Sequence, residues 1–225
     1  HVADRKPLAI VVVPASTHPQ VLYEKTPAGE YVVQLSARDR RWAQYAYQFA
    51  HEFCHVLANF DQRVSAAGVP LTRHQWFEET LCDVASIFTL QRMAETWQSA
   101  APFPHWKSYA PWLRDYADQL LAAKCRQGAS ALGLAAWYAA NGEALAGDPY
   151  MRERNEFCAT ALLSRFKSDP AQWNALRYLN LGRSAAADTF RDYLVDWQRS
   201  SPEKHHRFVG ELATTFGFAD AIALR

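Results

Sequence analysis

The sequence predicts an α+β fold in which a small N-terminal mixed sheet and one long helix precede a larger, all-helical part. Short segments rich in β-branched and aromatic residues, separated by turn residues, fill the chain up to residue 41. Beyond that point, apolar residues recur every three or four positions, which is the period of an amphipathic helix. We therefore expect two sub-domains, residues 1–62 with the sheet and the first helix, and residues 63–225 with the remaining helices.

Three segments have the character of strands. Leu8–Val13 is a continuous apolar run that ends at Pro14, and Gln20–Tyr23 is followed by the turn Thr26–Gly29. Tyr31–Ser36 comes directly after this turn and is again rich in β-branched and aromatic residues. The three segments predict a small sheet with a hairpin.

The helical part begins with two long helices. The first is predicted from Arg40 to Phe60 and the second from Gln75 to Trp97, since both segments show apolar residues at helical spacing. Further helices follow, and turn residues divide them. Asn141-Gly142 predicts the end of one helix, and Asp148-Pro149 predicts the start of the next.

The balance of charge excludes two classes of partner. Lys and Arg number 24 and Asp and Glu number 23, which leaves a net charge of +1 and no basic patch for phosphate backbones or anionic lipids. Apolar runs such as Leu8–Val13 are far shorter than the roughly 20 residues that span a bilayer. We therefore expect neither nucleic-acid binding nor a membrane-spanning segment.

The first residue and the cysteines bear on the compartment. The numbering begins at His1 rather than Met, and one explanation is a removed signal peptide, which would make the protein periplasmic or secreted. Cys54, Cys82, Cys125 and Cys158 show no CxxC spacing. We expect them either to be buried free thiols or, in an exported protein, to include a disulfide between Cys125 and Cys158.

The strongest motif is His51-Glu52-Phe53-Cys54-His55, which has the HExxH pattern and lies within the first long helix. At about 100° per residue, the two imidazoles are about 40° apart around the helix axis, so both can reach one metal ion. Glu52 can reach a water beside the metal without being a ligand. Phe53 belongs to the apolar stripe, so we expect the helix to bury that side and to present His51, Glu52 and His55 on another.

Zinc held by two His residues needs a third protein ligand and an open position for water. Asp61 follows His55 by six residues, a spacing that resembles the third-ligand position of metzincin-type enzymes. That resemblance implies a sharp turn at a Gly, and this chain has Ala58 there, which cannot adopt a positive φ cheaply. The second candidate lies on the next helix, where Glu79 and Asp83 share one face at i and i+4. We favour the second helix, because carboxylates on an otherwise apolar helix must face solvent or a site that satisfies them.

The HExxH helix and the following segment Trp76–Asp83 together resemble the gluzincin group of zinc metallopeptidases, which includes thermolysin-like and aminopeptidase N-like enzymes. The resemblance covers about residues 31–86 and implies a zincin-like fold, Zn²⁺ as the cofactor and a peptide or protein as the substrate. Glu79 takes the position of the third zinc ligand, since it stands three residues after Trp76 and four before Asp83. Glu78 stands where thermolysin has Asn.

The same resemblance implies roles for the other site residues. His51 and His55 are the two zinc ligands on the first helix, and Glu52 takes the proton of the attacking water and passes it to the leaving amine. Asp83 accepts a hydrogen bond from the ring nitrogen of a zinc His that does not bind the metal. Tyr31–Ser36 would align an extended substrate as the edge strand.

A residue that stabilises the oxyanion is expected from a downstream segment. The candidates are Tyr109, Tyr150, Arg152 and His105. We favour Tyr150, because Gly147-Asp148-Pro149-Tyr150 places it at a helix start, where the first N–H groups also favour a developing anion.

Two other functions remain open at this stage. The chain could be a degenerate gluzincin scaffold that binds zinc and a peptide as a regulatory module without turnover. Alternatively, HExxH is accidental and the chain is a helical binding protein that uses the aromatic segment Pro102–Trp112.

Overall fold

The computed structural model describes residues 8–65, 68–182 and 188–218. Within these ranges the chain is mainly helical and carries one three-stranded sheet near its N-terminal end, which confirms the predicted α+β class. His1, on which the exported location depends, lies outside the described residues.

The sheet consists of β1 (Ile10–Pro14), β2 (Gln20–Val21) and β3 (Tyr31–Leu35). The strand order is β1-β3-β2. β1 pairs with β3 in parallel and β2 pairs with β3 in antiparallel, so the predicted mixed sheet is confirmed.

The prediction that Tyr31–Ser36 forms an edge strand is wrong, because β3 lies in the centre of the sheet. Val33 and Leu35 are buried on β3, whereas Val12 on β1 is exposed. A central strand is the most buried strand of a small sheet, and its backbone N–H and C=O groups are already paired on both sides. β3 therefore cannot align a substrate by main-chain hydrogen bonds, and among the described residues the sheet edges are β1 and β2.

The α-helices of the described residues range from 10 to 26 residues in length. They are α1 (Trp42–Leu57), α2 (Gln75–Ala100), α3 (Ala110–Leu121), α4 (Leu134–Gly147), α5 (Arg152–Ser168), α6 (Phe190–Ser200) and α7 (His206–Thr215). Short 3₁₀ segments join them at Phe60–Gln62, Pro104–Tyr109, Lys124–Arg126, Ala131–Gly133, Pro170–Tyr178 and Glu203–His205. Of the described helices, none combines the length and the apolar character that crossing a membrane requires.

Asn141-Gly142 does not end a helix, since α4 continues through both residues to Gly147. Asn141 turns its side-chain amide back onto the helix and donates to the carbonyl of Trp137 at 2.8 Å. Gly142 is required by close packing instead, because a Cβ atom there would lie 2.7 Å from the ring of Tyr138. The glycine thus marks a tight contact inside the helix rather than a stop.

The chain forms two compact units, and each unit combines two stretches of sequence. The first unit contains His1–Val56 and Cys82–Gln127, and the second contains Leu57–Leu81 and Gly128–Arg225. Each unit thus draws on both predicted sub-domains, and the division at 1–62 and 63–225 stays a prediction. The first unit holds the sheet, most of α1 and the larger part of α2.

The core of the first unit lies between α1, α2 and α3. Its buried centre is formed by small and aliphatic side chains, which are Ala43, Leu90, Ala94, Leu113 and Ala117. Half-buried aromatic and apolar side chains surround this centre. Side chains of α1 that face this core are therefore held by α2 and α3.

The core of the second unit is an aromatic cluster. Phe190 lies at its centre, with ring-centroid distances of 4.8 Å to Trp76, 5.1 Å to Phe77, 5.1 Å to Tyr138 and 5.0 Å to Phe216. Most of these pairs are tilted or edge-to-face, which are the favourable arrangements of aromatic rings. The cluster holds the first two turns of α2 within this unit.

His74 is a buried imidazole next to the start of α2. One of its ring nitrogens, Nε2, lies 2.8 Å from the carbonyl oxygen of Asp188, so that nitrogen carries the hydrogen. Burial lowers the pKa of His74, and the hydrogen bond to Asp188 only partly offsets this effect. The imidazole is therefore neutral in the folded chain at a pH where it is already protonated in the unfolded chain.

We expect the free energy of unfolding to fall between about pH 7 and about pH 5, because the unfolded chain takes up a proton that folded His74 does not. Above the ordinary pKa of 6.5, both states are neutral and His74 contributes no pH dependence. His74→Gln should reduce the slope of stability against pH, as measured by urea unfolding at a series of pH values. The control is His18→Gln at an exposed position. An equal slope in the two variants would contradict this assignment.

Candidate metal centre

α1 places the two His residues of the HExxH pattern side by side. His51 and His55 are one turn apart, and their ring centroids are separated by 5.1 Å with an angle of 70° between the ring planes. This is the arrangement expected for residues at i and i+4 of a helix. Both rings can therefore offer a nitrogen to the same point.

Cys82 joins the two imidazoles. Each residue offers one donor atom, which is a ring nitrogen in His51 and His55 and Sγ in Cys82. These three atoms lie within 4.8 Å of one another. Around tetrahedral zinc, with Zn–N near 2.0–2.1 Å and Zn–S near 2.3 Å, neighbouring donors are about 3.3–3.6 Å apart. Donors within 4.8 Å of one another could hold one ion if they moved together to this spacing, and all three residues belong to the first unit.

The side chains of the motif and of Cys82 are more buried than the sequence predicts. Glu52 is 4% exposed, His55 is 5% exposed and Cys82 is fully buried, whereas Trp42 at the start of α1 is 56% exposed. The prediction that α1 buries only its apolar stripe and presents the motif away from the core is therefore wrong. α1 is covered on more than one side, and carboxylate and imidazole groups removed from water need partners.

Glu78 has a structural role in the second unit. It has no exposed surface, and its two carboxylate oxygens lie 2.7 Å from Arg63 Nη1 and 2.7 Å from Asn180 Nδ2. A buried carboxylate with a cation and an amide donor is well satisfied. Of the two neighbouring Glu residues, Glu78 is therefore the one committed to holding the fold.

Glu79, the ligand implied by the gluzincin resemblance, is half-buried on α2. It accepts a hydrogen bond of 3.2 Å from the side-chain amide of Gln75. It stands one turn before Cys82, on a neighbouring part of the same helix surface. The donor group found in the structure contains Cys82 as its third member, and the assignment of Glu79 as a zinc ligand stays a prediction.

Asp83 is buried and has partners other than a His residue. The hydroxyl of Tyr47 donates to its Oδ1 at 2.6 Å, and Nη1 of Arg126 lies 2.8 Å from its Oδ2. Both carboxylate oxygens are thus engaged within the first unit. The hydrogen bond from a zinc His to Asp83 that the resemblance implies is not among these contacts and stays a prediction.

Tyr150 is 67% exposed and lies in a turn two residues before α5. Its hydroxyl accepts a hydrogen bond of 2.7 Å from the side-chain amide of Gln75, which is also the donor to Glu79. Two residues that the sequence analysis selected are therefore linked through one amide in the second unit. The oxyanion role of Tyr150 stays a prediction.

Two of the other oxyanion candidates have partners of their own. Arg152 forms an ion pair of 2.8 Å with Glu156, and the hydroxyl of Tyr109 lies 3.4 Å from the carbonyl of Arg40.

Asp61, the alternative third ligand, lies in the 3₁₀ segment Phe60–Gln62, which begins after Asn59 at a positive φ of 58°. The turn after α1 therefore occurs at an Asn, which adopts this conformation more readily than Ala.

All four cysteines are free thiols. The alternative of a disulfide between Cys125 and Cys158 is not realised, and burial raises the pKa of the Cys158 thiol, so that it stays protonated. Sequence reasoning treated Cys82 as one of these inert thiols and missed its place beside the imidazoles. The available signal was that a thiolate is a common zinc ligand and that Cys82 lies on the helix already chosen for the third ligand.

A scan against models of protein families finds no match, and searches of curated proteins and of solved structures find none either. The likeness to gluzincins accordingly rests on the HExxH pattern and the Trp76–Asp83 segment.

We expect Cys82→Ala to lower the zinc content of the purified chain well below that of the parent, because two imidazoles seldom retain zinc against water. Cys54→Ala is the matched control, since it removes a buried thiol from within the HExxH pattern that is not in the donor group. Elemental analysis after dialysis measures the difference. Equal zinc content in the two variants would exclude Cys82 as a ligand.

The gluzincin resemblance makes a competing prediction for Glu79. It implies that Glu79→Gln weakens zinc binding far more than Asp61→Asn, because only α2 supplies the Glu-x-x-x-Asp pair. Competition with a chromogenic chelator measures both affinities. Equal affinities would remove Glu79 from the ligand set, while the reverse ranking would favour the metzincin arrangement.

Proposed function

We propose that this chain is a zinc-dependent metallopeptidase with a zincin-like site, in which Glu52 is the general base for hydrolysis of a peptide bond. The observation that carries the proposal is the convergence of His51, His55 and Cys82 donor atoms within 4.8 Å of one another on the HExxH helix and its neighbour. Glu52 stands between the two His residues, and its side chain is buried.

The chemistry of the donors favours zinc over harder cations. Two imidazoles and one thiolate are ligands of zinc, whereas calcium and magnesium require oxygen donors. Three protein ligands leave one tetrahedral position for water or substrate, which distinguishes catalytic from structural zinc sites. When bound, the ion would lower the pKa of a water and polarise a carbonyl group.

Glu52 provides the proton transfer that hydrolysis needs. Its carboxylate accepts a proton from the attacking water and later delivers it to the nitrogen of the leaving amine. The burial of Glu52 and His55 supports this role, because a site with little water strengthens every electrostatic interaction within it. A thiolate and a carboxylate each add one negative charge, so Glu52 can act as the base with either Cys82 or Glu79 as third ligand.

We expect Glu52→Gln to keep zinc and the fold. The rate of hydrolysis should fall by about 10²–10⁴-fold or more, since the amide cannot accept the proton. The measurement starts by screening a peptide mixture for any cleaved product with the zinc-loaded parent. Turnover of that peptide is then compared at equal zinc occupancy. Glu95→Gln, which removes an exposed carboxylate from α2, is the control.

Two outcomes would count against the proposal. An undiminished rate in Glu52→Gln would place the chemistry elsewhere. Zinc and peptide binding by the parent without cleavage of any peptide would favour a degenerate scaffold that acts as a peptide-binding or regulatory module.

A further inference from the structure

Tyr47 shares one face of α1 with the two imidazoles. It stands four residues before His51 and eight before His55, so the three side chains are stacked over successive turns. Its ring packs edge-to-face on Tyr116 of α3, with 6.1 Å between centroids. Any contact that fixes Tyr47 against α2 therefore also fixes the position of the imidazoles relative to α2.

Two contacts with α2 do this. The Tyr47 hydroxyl donates to Asp83 Oδ1 at 2.6 Å, and the Ser86 hydroxyl lies 3.1 Å from the Tyr47 carbonyl oxygen. Ser86 also lies 3.0 Å from the carbonyl oxygen of Cys82. On α2, the two residues that make these contacts with Tyr47 are thus the chain neighbour of Cys82 and the residue one turn after Cys82.

Arg126 completes the arrangement from a third segment, the 3₁₀ turn Lys124–Arg126. Its guanidinium is buried, and Nη1 lies 2.8 Å from Asp83 Oδ2. A carboxylate that is removed from water needs a cation or several hydrogen-bond donors beside it. Arg126 supplies the cation at one oxygen of Asp83, and the Tyr47 hydroxyl donates to the other.

We infer that Tyr47 and Arg126 are positioning residues for the metal centre, acting through Asp83 to set the rotation of α2 so that the Cys82 thiol faces His51 and His55. The inference rests on the proposed zinc site. Asp83 and Cys82 are consecutive on a helix, about 100° apart, so holding one carboxylate fixes the direction of the adjacent thiol. Metal ligands must be held within about 0.5 Å of their productive positions, and the groups behind them supply this precision.

The test uses the full chain with zinc and with cobalt as a spectroscopic probe. We expect Tyr47→Phe, which keeps the ring and loses only the hydroxyl, to weaken zinc binding by about 10–100-fold in competition with a chelator. The thiolate-to-cobalt charge-transfer band, expressed per bound ion, should decrease in parallel. Tyr45→Phe removes a hydroxyl from the same helix and should match the parent.

Two replacements of Arg126 are informative, the neutral Gln and the conservative Lys. Arg126→Gln should lose zinc affinity and the charge-transfer band at least as strongly as Tyr47→Phe, and Arg126→Lys should recover part of both, because it restores a cation for Asp83. Arg92→Gln, at an exposed ion pair on α2, is the control. If Arg126→Gln does not fold, Tyr47→Phe decides.

The outcomes separate this inference from the proposed function. If the contacts serve only the fold, Tyr47→Phe and Arg126→Gln lower the thermal stability of the metal-free chain but leave zinc affinity and the cobalt band unchanged, and the inference fails while the zinc site stands. If the parent chain shows no thiolate-to-cobalt band and Cys82→Ala keeps its zinc, the proposed site itself is wrong.

Discussion

A carboxylate that is withdrawn from water must meet a cation or several hydrogen-bond donors, and this constraint governs the environment of α2. The helix carries two buried carboxylates that each meet a cation, Glu78 with Arg63 in the second unit and Asp83 with Arg126 in the first. Removing either Arg would leave a buried charge, at a cost of about 3–5 kcal/mol. Because Cys82 is adjacent to Asp83, the ion pair that stabilises the first unit also determines where the thiol points. The folding stability of the first unit and the geometry of the candidate metal site therefore depend on the same ion pair between Asp83 and Arg126.

The HExxH helix could be predicted because its signal is local. Spacing along one helix determines which side chains share a face, so the proximity of His51 and His55 follows from the sequence. The mixed sheet was predictable for the same reason, since β-branched segments and turn residues are read from consecutive positions. Neither feature depends on contacts with distant parts of the chain.

Most of the features that the sequence did not reveal are non-local. Nothing in the segment Tyr31–Leu35 says that β1 will pair in parallel on its far side, so its central position was missed. The partners Arg126 and Tyr47 lie 43 and 36 positions from Asp83, distances at which periodicity carries no information. Gly142 is a local exception. A residue type that often ends helices lies here inside α4, where a Cβ atom would meet the ring of Tyr138.

The complete burial of Cys82 also affects how quickly the centre could be loaded. An ion arriving from solvent meets the half-buried His51 first, and it reaches the thiol only when the surrounding helices open. Such openings are governed by local unfolding equilibria rather than by diffusion. Metal exchange would then be slow in the folded chain, and the ion would be acquired most readily while the chain is still folding.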